Sequence, residues 1–127
     1  MGMDQKVVFS AERTPAWPTL VELLAQKTFA IQMRMIDGEL AFPDETPPDA
    51  WRELRVGTPG GMVTLRREPD GITLVTWGNA DAKMRQAWNA LTWAIAHLSG
   101  GAIQSASGVI SSDQFANTAE LPDEMRE

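Results

Sequence analysis

The side chains able to do chemistry in this chain are few and scattered. His97 is the only histidine and there is no cysteine, so disulfides, thiolate nucleophiles, zinc ribbons and iron–sulfur ligation by this chain are excluded. His97 falls near the end of a long helical pattern, where an imidazole interacts favourably with the carbonyl terminus, which favours capping or a surface position over catalysis. A Ser-His-Asp arrangement would need a serine and a carboxylate brought to His97 by the fold, and no GxSxG nucleophile elbow is present. With one histidine, a transition-metal site would have to be built mainly from carboxylates. Asp44, Glu45 and Asp49 share one loop, but it lacks the glycine and ligand spacing of a calcium-binding loop, so a solvated acidic loop is the preferred reading. The carboxylates of Asp37, Glu39 and Glu53 are conceivable acid and base partners, yet no spacing among them is diagnostic of carboxylate-pair hydrolysis.

Gly57-Thr58-Pro59-Gly60-Gly61 is rich in glycine, but it lacks the lysine and hydroxyl residue of a phosphate loop and leads into a strand, so it reads as a turn. No motif implies a cofactor. Arg66 and Arg67 are adjacent and therefore point to opposite faces of a strand, which prevents them from clamping an anion together. Arg66 could instead join Arg34, Arg52 or Arg55 on an outer sheet face as a modest anion site. Five tryptophans are present. Trp77 and Trp88 fall on core positions, Trp17 and Trp51 at the entrances of elements. Trp93 lies off the apolar helix stripe, beside Gln86, Asn89 and His97, and is expected either to pack under the C-terminal segment or to anchor an interface.

These residues have to be positioned by strands and helices. A β-prone run at 6–9 is followed by a helix from Pro15 or Pro18 to about Thr28, with Leu20, Leu23, Leu24 and Lys27 at helical spacing. Residues 30–42 read as a hairpin around a type I′ Asp37-Gly38 turn, pairing Ile36 with Glu39, Met35 with Leu40 and Met33 with Phe42. Ile31, Met33, Met35, Leu40 and Phe42 would then share one apolar face. The proline-rich acidic stretch 43–49 is expected to be an exposed loop. Leu54 and Val56 begin a second group of strands. A three-residue Pro69-Asp70-Gly71 connection would pair Leu65 with Val75 and Val63 with Trp77, leaving Met62, Arg66, Ile72 and Leu74 on the reverse face. A long helix starts near Gly78-Asn79-Ala80-Asp81, buries Ala80, Met84, Ala87, Trp88, Leu91, Ile95 and Leu98, and stops at Gly100-Gly101.

The expected fold is α+β: an antiparallel sheet of about five strands, in chain order β-α-β-β-β-β-α, with two helices on one face. Residues 1–103 form the domain, and 104–127 an acidic, partly flexible C-terminal segment. The order resembles the one-helix-then-meander plan of the TATA-binding-protein-like folds in topology alone, with no residue motif beside it.

Composition bounds the rest. The chain has 127 residues, 43% hydrophobic and 22% charged, which suits one ordinary globular domain. The formal charge of −6 opposes nucleic-acid binding, because phosphate neutralisation needs a basic surface. Residues 104–127 hold five acids and one base, leaving 12 acids and 10 bases in the first 103. The folded part is therefore nearly neutral. Residues 1–10 hold no apolar run long enough for a signal peptide and no segment approaches the ~20 apolar residues of a membrane span, so a cytoplasmic location without membrane contact is expected.

Two functions follow from this reading. One is a noncatalytic protein-interaction domain of adaptor or chaperone kind, similar in size, acidity and α+β build to secretion chaperones, with a homodimer among its expected forms. It would use Met62, Arg66, Ile72 and Leu74, or Trp93 and His97. The alternative is a small-molecule binder or enzyme with a pocket between the long helix and the sheet, using Trp51, Arg55, Arg66 and His97.

Overall fold

Asp37 and Gly38 take φ values of 51° and 85°, the consecutive left-handed pair that a type I′ turn requires. The expected Ile36–Glu39 and Met35–Leu40 pairings follow. The Asp37 carboxylate accepts hydrogen bonds from the amides of Arg52 (2.7 Å) and Glu53 (2.9 Å), which fasten this turn to the strand that comes next. The computed structural model describes residues 2–122 except Gly78, Ala80, Ala106 and Ser107, and gives Gly2 and Trp77 in backbone only. The places expected for Ala80, for the Trp77 side chain and for the tail 123–127 lie outside the described residues.

The elements are β1 (Gly2–Val8), a 3-10 turn (Ala11–Arg13), α1 (Trp17–Gln26), β2 (Gln32–Ile36), β3 (Glu39–Leu40), β4 (Glu53–Thr58), β5 (Gly61–Glu68) and β6 (Gly71–Trp77). They continue with α2 (Ala82–Ser99), β7 (Ala102–Ser105), β8 (Gly108–Ser111) and α3 (Ser112–Thr118). The class is α+β with an antiparallel sheet, as expected. Among the described residues, however, the sheet has eight strands, ordered β3-β2-β4-β5-β6-β1-β7-β8, and there are three helices. The additions come from the polar stretch after Gly101, which forms β7, β8 and α3, while the expected second arm of the Asp37-Gly38 hairpin is present as β3, only two residues long.

That stretch has too few large apolar residues to show a period, yet β1 offers it a free edge, and Val7 pairs with Ile103, which pairs with Ile110. Ser111 and Gln114 form a reciprocal capping box at the start of α3, and Phe115 and Leu121 are buried. The boundary anticipated at 103 thus falls inside β7.

Two registers depart from expectation, and each moves side chains between faces. Glu68 pairs with Gly71 and Leu65 with Leu74, so the β5–β6 turn has two residues, Pro69 and Asp70, instead of three. A shift of one residue turns every side chain over. Ile72 and Leu74 consequently join Leu65 and Val63 in the core, at 2% and 0% exposure, and do not lie on the reverse face. The cause is β1: it pairs Val8 with Gly71, and a Cβ at Gly71 would collide with the Val7 carbonyl. In β2 a bulge between Met33 and Met35 leaves Met33 opposite Val56 but puts Met35 opposite Arg55. Met33 is buried, while Met35 and its partner Leu40 turn to the other side. Met33 does not pair with Phe42, because the Met33 amide donates to the Pro43 carbonyl at 3.0 Å.

The helices lie on one side of the sheet, with α2 against β1, β5, β6 and β7, and α1 and α3 packed on α2. Asp81 caps α2 by accepting from the Met84 amide (2.8 Å), and Gly100 ends it in the left-handed conformation. The core stripe Met84, Ala87, Leu91 and Ile95 is buried as expected, with Trp88 and Leu98 partly buried against it. The small side chains of Ala90, Ala94 and Ala96 are buried too. A helix covered on more than one flank has no wide polar face left. Asn89, expected on such a face, is instead buried. Its Oδ1 accepts from Gln5 Nε2 (3.0 Å) and its Nδ2 donates to the Glu120 carbonyl (2.8 Å), while Gln5 Nε2 also donates to Thr92 Oγ1 (2.8 Å). These satisfied amides pin β1, α2 and the C-terminal segment together.

Candidate functional site

No helix covers the other side of the sheet, and the register places its side chains in rows. One row runs Leu40, Met35, Arg55, Thr64, Val75, Asp4, and a second runs Glu53, Arg66, Thr73, Lys6, Gln104, Val109. Met62 lies on the same face, opposite Gly57. Gly57 has a reason to lack a side chain: a Cβ there would sit 2.8 Å from Arg34 Nε. Arg34, at the bulge of β2, therefore lies across Gly57 on this outer face. Arg34, Arg55 and Arg66 thus come together, as the sequence allowed, while Arg52 precedes β4.

Glu53 is the acid among them, 3.4 Å from Arg66 Nε and 4.0 Å from Arg55 Nε. Further along, Lys6 Nζ sits 2.6 Å from Asp70 and 2.8 Å from Glu68. Hydrogen bonds to Asp70 and then Glu68 raise the lysine above its ordinary value, and both carboxylates are lowered in return. Lys6 is outnumbered by its two carboxylates, so the face is divided: the Lys6 end is acidic, and positive charge gathers at the end where Arg34, Arg55 and Arg66 meet only Glu53. Beside them the chain exposes large apolar groups: Leu40 is 88% exposed, Met62 46%, and Phe42, just past β3, 75%.

Of the other expected binding residues, Ile72 and Leu74 are core. Trp93 is half-buried against the core, its ring stacked on His97 at 4.9 Å between centroids, with Lys27 Nζ 5.8 Å from the ring centre. Its neighbours are thus on α2 and at the end of α1. His97 is exposed. At the N-terminal end of α2 a cleft of about 290 Å³ opens between Lys83 and Gln86 and the Pro59-Gly60 turn, whereas further along the helix the packing against the sheet is close. The residual gap there, by Trp17, Leu20, Leu65 and Ile95, measures about 10 Å³, barely the room for one water. No group of three or more potential metal ligands occurs among the described residues, so Asp44, Glu45 and Asp49 do not gather.

A second site escaped the sequence. Arg67 points to the helix side of the sheet, as its adjacency to Arg66 requires, at the end where no helix lies over it. Its guanidinium rests on Trp51, 4.3 Å from the ring centre, and Nη1 donates to the Asp49 carbonyl at 2.6 Å. Nε is buried without a partner. Burial pushes the guanidinium below the usual arginine value, and Asp49 and Asp37 pull it back from a distance; it stays charged. Beside it opens a cavity of about 270 Å³ walled by Trp17, Trp51, Pro15, Pro47 and Thr46, with Asp49 the one acid in its lining. Two tryptophans at element entrances and a proline-rich loop were the visible signals, but nothing local joins them to Arg67.

No protein-family model, curated protein or solved structure matches the chain. No helix among the described residues is long and apolar enough to cross a membrane.

Proposed function

We propose that this chain is a noncatalytic protein-interaction domain whose outer sheet face receives an acidic, apolar segment of a partner protein. The observation that carries the reading is the coincidence on one uncovered face of Arg34, Arg55 and Arg66 with exposed Leu40 and Met62, and Phe42 at its margin, in a chain of net charge −6. Arginine beside large apolar groups is the composition of interface anchors. The close packing of α2 against the sheet around Leu65, Ile72 and Ile95 supports binding on the outside over a pocket there.

Selection of random peptides displayed on phage tests this directly. Enriched peptides are expected to combine acidic with large apolar residues, and to lose binding to the Arg55→Glu/Arg66→Glu and Leu40→Asp variants. Enrichment without acids, or binding indifferent to both variants, would refute the proposal. So would a stable dimer in solution that Leu40→Asp converts to monomer, since the second copy would then occupy the face.

A further inference from the structure

We infer that the Arg67 cavity is a second, separate binding site, which takes a small organic anion with a carboxylate head and a flat apolar body. Arg67 lacks a charged partner: among the described residues it forms no ion pair, although it is drawn partly out of water on the covered side of the sheet. A desolvated guanidinium is normally matched by a carboxylate or phosphate in fork geometry. Here one nitrogen donates to a backbone carbonyl, and that dipole neutralises no charge. Contact with the Trp51 ring and the hydrogen bond from Nη1 to the Asp49 carbonyl hold the guanidinium in place before any ligand arrives.

The surroundings define the rest of the ligand. Trp17, Trp51, Pro15 and Pro47 present apolar walls, and Thr46 adds a hydroxyl. Such walls gain from a hydrophobic body and give nothing to a bare inorganic anion. The volume, about 270 Å³, lies just under the ~300–1,000 Å³ that houses drug-sized ligands, which limits the occupant to roughly one ring and its acid. The one acid in the lining, Asp49, is exposed to solvent and bonds Arg67 through its backbone carbonyl and not its carboxylate, so its charge is screened and the guanidinium remains available to an anionic head. The site faces the helix side of the sheet and the protein-docking face is its reverse, so the two are independent.

The test uses the full chain and three probes: phenylacetate, its neutral analogue phenylacetamide, and inorganic phosphate, followed by the indole N–H signals of Trp17 and Trp51 in proton–nitrogen correlation spectra. Phenylacetate is expected to shift both signals saturably, with phenylacetamide at least about tenfold weaker, as for loss of a charge-assisted hydrogen bond. Phosphate should leave the indoles unmoved. Arg67→Met keeps the stem on Trp51 and removes the fork; it should reduce phenylacetate affinity by about the same factor. Equal binding of acid and amide would overturn the inference, and so would no saturation by phenylacetate or tighter binding of phosphate. The acid–amide comparison on the unaltered protein decides the matter even if the variant fails to fold.

Discussion

Asp37 ties the turn that carries Leu40 to the body of the sheet, and replacing it should cost stability in a pH-dependent way. One carboxylate oxygen accepts two backbone amides, at 2.7 and 2.9 Å, and the residue sits at φ 51°. Hydrogen bonds to a charged group are worth roughly 1.5–3 kcal/mol each when sheltered. Asp37 is exposed, so solvent screening brings this to about 1 kcal/mol apiece. Alanine at 37 loses both bonds and is less tolerant of the left-handed region, by roughly 1 kcal/mol, for a total of about 3 kcal/mol. Asparagine keeps an acceptor oxygen and the turn preference, and should lose only the charge-dependent part, about 1 kcal/mol.

The Glu53 amide first, and then the Arg52 amide, hold the Asp37 carboxyl below the usual aspartate range. A lowered folded-state value means that the stabilisation is complete above the unfolded pKa of about 3.9 and disappears as pH falls through the lower folded value. Urea unfolding of the wild type and Asp37→Asn, followed by tryptophan fluorescence from pH 7 to 2.5, isolates this group from the other carboxylates. The gap of about 1 kcal/mol at pH 7 should close towards zero once the wild-type carboxyl is protonated. A gap that persists unchanged at the acid end, or that never exists, would refute the reasoning.

Three further outcomes follow from packing. Gln5→Leu should lower stability by about 1–3 kcal/mol, since Asn89 and Thr92 lose their buried donor; urea midpoints measure it. Gly71→Ala should cost at least about 2 kcal/mol, because β1 has to retreat from the new methyl group, against about 1 kcal/mol if the glycine served only a left-handed turn. Leu74→Asp should unfold the chain by far-ultraviolet circular dichroism, whereas Met62→Asp on the outer face should change stability by no more than about 0.5 kcal/mol.

Local chemistry was legible and tertiary compensation was not. The Asp37-Gly38 turn and the Gly100 stop depend on backbone preferences that one or two residues express, and both stand where the sequence puts them; of Asn79 and Asp81, either of which could cap α2, it is Asp81 that does. Gly71 was visible as a glycine, but its reason is the closeness of β1, some 60 residues earlier in the chain. Reading it as a turn residue displaced the register by one and sent Ile72 and Leu74 to the wrong face. The bulge at Arg34 had the same effect on Met35, and its complement, Gly57, lies on another strand. Strands β7 and β8 carry a single fully buried side chain between them, Ile103, so they become strands only because β1 has an edge to offer. The arginines of the outer face could be foreseen from alternation. The Arg67 cavity needed β5, the entrance of α1 and the proline loop in one place, which no spacing in the sequence reports.

The central claim, that partner binding belongs to the uncovered sheet face, is tested most directly by titrating a selected acidic–apolar peptide into isotope-labelled protein and mapping the backbone amide shifts. The account predicts perturbations at Met35, Leu40, Arg55, Met62, Thr64 and Arg66, with α1 and α2 silent. Shifts gathered on α1 and α2 instead, around Trp93 and His97, would contradict it.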